Sequence, residues 1–91
     1  VFSYFYKKTV MKPKKLPESY LEADQKLVQI GKKVRKLRKA KRANYEDFAR
    51  ENNINKVTLN KIEKGESVSL RLFINVIQKL EISLQDFFKS L

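Results

Sequence analysis

Residues 52–66 read NNINKVTLNKIEKGE. Apolar side chains recur along the stretch at a helical step: Ile54, Val57 or Thr58, Leu59 and Ile62. Asn55 suits a helix start, because its side chain accepts from the unpaired N–H groups of the first turn. Gly65 suits a helix end, where the chain passes through left-handed backbone angles. The spacing predicts a helix over about 56–64 that buries one side only. Its outward side carries Lys56, Asn60 and Lys61, all able to form hydrogen bonds. That side is either merely solvated or in contact with something polar and negative.

The flanking sequence is also helical. Upstream, Asn44 is a good N-cap and Asp47 stands in capping-box position. A helix is predicted over about 45–52, with Phe48 and Ala49 facing in. Asn52-Asn53 breaks it, since asparagine best tolerates left-handed angles among non-glycine residues. Further upstream, Tyr20, Ala23, Leu27, Ile30, Val34 and Leu37 follow +3/+4 steps after Pro17. They predict one helix from about 18 to 41, or a shorter helix followed by a break. Gly31 costs ~1 kcal/mol relative to alanine inside a helix, so close packing would explain it. Downstream, Ser69 caps a helix with an apolar stripe of Leu70, Phe73, Ile74, Ile77 and Leu80. Ser83, with Asp86, caps a fifth carrying Leu84, Phe87 and Phe88. The fold expected is all-α, a five-helix bundle over residues 18–91, preceded by an apolar and basic N-terminal arm or linker over 1–17.

Composition narrows the function. The chain has 91 residues, no cysteine and no histidine. Disulfides and thiolate metal sites are thereby excluded, and so are the commonest metal ligand and the commonest neutral-pH acid–base group. Its two glycines cannot supply a phosphate-binding loop of the Walker or dinucleotide type. Neither catalysis nor a cofactor is expected. No apolar run approaches the ~18 residues of a membrane span, and the cytoplasm is the default location. The net charge of +11 is lopsided. Residues 1–42 hold 14 Lys/Arg and 3 Asp/Glu, whereas residues 43–91 hold 7 of each. A basic arm and first helix facing a polyanion would produce that distribution.

Two short helices joined by a tight turn, the second polar outside, have helix-turn-helix geometry. On DNA the second helix of such a unit enters the major groove. From Leu27 to Phe88, about two-thirds of its length, the chain resembles the Cro/repressor-like (Xre-type) helix-turn-helix family. The resemblance is carried by IGKKVRKLRKAK at 30–41, YEDFARENNI at 45–54, NKVTLNKIEKGE at 55–66 and SLRLFINVIQKLEISLQDFF at 69–88. The order and spacing of the four pieces are more specific than any one of them.

The resemblance implies residue roles. Arg38 and Glu63 match an ion pair that crosses the family's core, a structural role. Lys56, Val57, Asn60 and Lys61 fall on base-reading positions. Lysine can donate to guanine, asparagine can pair with adenine and valine can meet a thymine methyl; Val57 packing inward is an equal alternative. Tyr45, Lys64 and Ser67 fall where phosphate contacts are made. Lys14 and Lys15, with Lys12, lie in the arm, which could follow phosphates or enter a minor groove. Lys32, Lys33, Lys36 and Lys39 are expected to coat the outside of the first helix. Several positions depart from the family's pattern: Arg42, Asn53 and Glu81 stand where glycine is usual, Lys79 where a small residue is, and Val68 where proline is. The function implied is sequence-specific double-stranded DNA binding by a homodimer, as a transcriptional regulator and by family habit a repressor. The alternative is an antitoxin-like protein-interaction module that also binds DNA, with a toxin-like protein partner held by VFSYFY at 1–6.

Overall fold

The structure is a computed structural model that describes the backbone of residues 18–91 and the side chains of residues 20–91. The readings placed on residues 1–17, including VFSYFY, Lys12, Lys14 and Lys15, lie outside the described residues. The described residues are all-helical. Five helices follow in order: α1 (Glu18–Lys41), α2 (Tyr45–Glu51), α3 (Lys56–Glu63), α4 (Leu70–Lys79) and α5 (Leu84–Lys89). The long α1 is unbroken.

Four of the helices start on the polar residue that the sequence offers as a cap. Asn44 Oδ1 accepts from the N–H groups of Glu46 and Asp47 at 2.9 and 3.1 Å. Asn55 Oδ1 does the same for Val57 and Thr58 at 2.8 and 3.3 Å. Ser69 and Ser83 accept from Leu72 and Asp86. The expected capping box at α2 is only half made: Asp47 turns its carboxylate to Arg50 at 3.0 Å.

The helix ends are equally explicit. At α2 the N–H of Asn53 bonds to Arg50 O and that of Ile54 to Ala49 O, with Asn53 at φ 56°. At α3 the N–H of Gly65 bonds to Ile62 O and that of Glu66 to Lys61 O, with Gly65 at φ 83°. Both are Schellman closures, which satisfy carbonyls that a helix end leaves free. Glu81 ends α4 in the same backbone region at φ 62°, without the help of a glycine or asparagine.

Every helix sends at least one fully buried side chain to a common core: Val34, Phe48, Leu59, Val76 with Ile77, and Phe87. Phe73 and Phe87 meet edge to face at 5.7 Å, joining α4 to α5. α1 is the platform, since both α2 and α3 pack on it. The apolar stripe of α1 is covered only in part. Ile30, Val34 and Leu37 join or line the core, but Tyr20 and Ala23, expected to face inward, are exposed. The bundle is shorter than the stripe, so among the described residues the first turns of α1 have nothing to pack against.

Asn55→Ala is expected to cost about 1 kcal/mol, the usual worth of an N-cap. A chemical denaturation midpoint that shifts at unchanged slope checks it.

Candidate nucleic-acid interface

The turn between α2 and α3 is Asn52–Asn55, and each residue in it has a local task. Asn52 is the C-cap of α2, with its side-chain amide donating to Phe48 O at 2.9 Å. Asn53 takes the left-handed angles. Ile54 drops into the core. Asn55 starts α3. With three polar residues and one apolar anchor, the turn fixes how α3 leaves α2.

On α3, Leu59 and Ile62 are buried and Thr58 is half-buried. Val57 is 56% exposed, which settles its two open readings in favour of the outward one. Lys61 is exposed beside it, and Asn60 is half-buried on the flank. Lys56 is also exposed, and its Nζ lies 3.3 Å from Glu46 Oε2 on α2. An exposed pair of this kind is worth at most ~1 kcal/mol, so an incoming anion or base edge can displace the carboxylate. Tyr45, at the first position of α2, packs its ring against the core and is half-buried. Lys64, the C-cap of α3, and Ser67 in the following loop are both exposed.

Beneath this surface lies the buried pair. Arg38 Nε donates to Glu63 Oε2 at 2.9 Å and Nη2 to Oε1 at 2.8 Å. Nη1 donates to the carbonyls of Arg42 and Ala43, between α1 and α2. One guanidinium thus ties the end of α1, the α1–α2 connection and the end of α3. The two side chains are 4% and 9% exposed. The fork geometry meets the carboxylate with two parallel bonds, the strongest arrangement open to such a pair.

One position among the outward lysines of α1 differs from the sequence reading. Lys33, expected among the outward lysines of α1, is half-buried and bends toward α5. Its ammonium donates to Phe87 O and to Ser90 Oγ, and lies 4.9 Å from the centre of the Phe87 ring. It serves the carbonyl end of α5, where a cation is favoured. Glu81, in place of a usual glycine, is anchored by Lys41 Nζ at 2.9 Å. That hydrogen bond and the nearby charge of Lys41 hold its carboxyl below the usual carboxylate range.

Sequence reasoning missed Glu46, which sits on Lys56, and the single hydrogen bond from Arg42 Nη2 to Glu51 Oε2 at 2.6 Å. Both link residues about ten apart across a helix boundary, where no periodicity connects them. Among the described residues, no helix is long and apolar enough to cross a membrane. Comparison with protein-family models, curated proteins and solved structures finds no match to this chain.

Proposed function

We propose that the chain is a sequence-specific double-stranded DNA-binding protein that inserts α3 into the major groove. The observation that carries this reading is α3 itself. It is a capped two-turn helix, anchored inward by Leu59 and Ile62, that leaves Val57, Asn60 and Lys61 outside the core. A helix kept so polar outside, on a chain of net charge +11, is suited to base edges set among phosphates. In this reading Lys56, Val57, Asn60 and Lys61 meet bases. Tyr45, Lys64 and Ser67, with Lys14 and Lys15 from the arm, meet phosphates. The resemblance of residues 27–88 to Xre-type regulators adds a homodimer on a two-fold site and repression by occlusion of a promoter, in the cytoplasm as the default location. The left-handed backbone at Asn53 and Glu81, both standing where that family usually has glycine, favours the resemblance.

Selection of duplex DNA from a random pool, with binding rechecked at two salt concentrations, tests the proposal. Enrichment of a short inverted repeat is expected. Binding without enrichment, lost steeply with salt, would assign the affinity to charge alone and reject the role of α3. Within the enriched site, Asn60→Ala is expected to lower discrimination at one base pair roughly tenfold, the scale of a lost bidentate contact. A uniform loss across all sequences would contradict that assignment.

One observation favours the second reading, an antitoxin-like module. A cleft of about 210 Å³ opens among Leu27, Ile30, Val68, Leu70, Phe73 and Phe88, and Leu70 on its rim is 71% exposed. An apolar segment of a protein partner would fit it. A chain that folds normally and binds no DNA at all would shift the assignment there.

A further inference from the structure

The charge of this protein is not concentrated on the face that reads bases. Between Asp24 and Glu46 the sequence has nine Lys/Arg and no acid, so α1 lacks its own counter-charges over that span. At the end of α1 and beyond it, Lys41, Arg42, Arg50, Lys56 and Lys89 each lie within 3.9 Å of a carboxylate, whereas Lys61, Lys64, Arg71 and Lys79 are scattered over α3, α4 and the loop between them with no ion-pair partner among the described residues. Lys26, Lys32, Arg35, Lys36 and Lys39 are likewise exposed without an ion-pair partner among the described residues, but these five are concentrated on one helix. Lys32, Lys36 and Lys39 follow a +4/+3 step, which stacks them on one face of the helix, at a rise of ~1.5 Å per residue. That face lies opposite Val34, which is wholly buried.

A face needed only for solubility would carry mixed signs. Like charges at i and i+4, such as Lys32 with Lys36 and Arg35 with Lys39, destabilise a helix unless an anion relieves them. The direction of the face matters as much as its charge. α1 and α3 bury Gly31, Val34, Leu59 and Ile62 toward each other. The outward side of α1 therefore points away from the outward side of α3, and one straight duplex cannot lie along both.

We infer that the Lys32–Lys36–Lys39 face of α1, flanked by Arg35, is a second binding surface for a duplex phosphate backbone. It lets one chain hold a second DNA segment while α3 occupies the first. The contact is sequence-indifferent, because lysines on a smooth helix face reach phosphates and not base edges. The inference rests on the DNA-binding reading above.

The test is a two-duplex capture. A duplex carrying the selected site is fixed to a surface and saturated with protein, and a labelled duplex of unrelated sequence is then added. The protein is expected to capture the second duplex, with capture falling steeply as salt rises. The variant Lys32→Gln/Lys36→Gln/Lys39→Gln is expected to load equally on the first duplex, melt no lower, and capture the second roughly tenfold less. Because α3 is intact in that variant, capture through the α3 of a dimer partner would persist. Equal capture by the variant therefore overturns the inference and leaves the reading of α3 standing. No capture by the unaltered protein also overturns it. Failure to load on any first duplex sinks the DNA-binding reading, and this inference with it. Phosphatidylserine vesicles replace the second duplex in a parallel arm. Capture of vesicles but not of DNA assigns the face to a membrane surface, again overturning the inference.

Discussion

Glu63→Ala is expected to destabilise the fold by about 3–5 kcal/mol, the cost of breaking a buried ion pair by removing one partner. For a described domain of this size that is a fall in melting temperature of more than ~10 °C, and a large share of the ~5–15 kcal/mol that holds a typical fold. The reason is what remains. Arg38 is 3% exposed, so without Glu63 a guanidinium charge stays inside with only the carbonyls of Arg42 and Ala43 to face. The reverse change, Arg38→Ala, strands the carboxylate and those same two carbonyls, so a loss of similar size is expected. Replacing both partners, as in Arg38→Met with Glu63→Leu, is expected to recover most of the loss, because no charge is then left buried. Thermal melting of the three variants checks the argument. A single variant that melts like the parent would mean the pair contributes nothing.

The same pair shows where sequence reading succeeds and where it needs help. Helix starts were legible because each is written in one residue: Asn44, Asn55, Ser69 and Ser83 act locally on N–H groups two or three positions away. The ends at Asn53 and Gly65 were legible for the same reason, since left-handed angles select few residues. Glu81 was not, because a glutamate carries no sign of a positive φ; Lys41, forty residues earlier, is what anchors its side chain. The pairing of Arg38 with Glu63 came from the family resemblance alone, for no local rule links positions 25 apart. Tyr20 and Ala23 show the limit of periodicity. The stripe on α1 reports which side of the helix is apolar, but not how far the partner helices extend to cover it. Lys33 was misplaced for a related reason. Its neighbours in sequence are lysines and a buried valine, while its partners, Phe87 O and Ser90 Oγ, lie more than fifty residues away. On α3 the buried positions 59 and 62 were readable. The direction of Val57 was not, because it sits at the edge of the stripe, where a small change in helix rotation decides exposure.

Gly31→Ala is expected to destabilise the fold by about 3 kcal/mol, the upper end of what overpacking costs, although the change favours a helix by ~1 kcal/mol in isolation. The two effects have opposite signs, and geometry decides between them. Gly31 lies in the middle of α1, where the loss of a glycine should help. A methyl group added there would collide with the carbonyl oxygen of Ile62 and come within 2.9 Å of that of Glu63. Those atoms are backbone, so no rotamer change can clear them. They also belong to the end of α3 that carries Glu63 and leads into the Gly65 closure, so relief requires α3 to slide along α1. That movement would strain the Arg38 fork, whose bonds are already at 2.8 and 2.9 Å. The variant is therefore expected to lose sequence discrimination on DNA before it loses affinity, since α3 is displaced while the charge of α1 is untouched. Melting together with competition between the selected site and an unrelated duplex measures both effects. A variant that melts higher than the parent would show that α1 and α3 are not in backbone contact, and that the glycine is there for another reason.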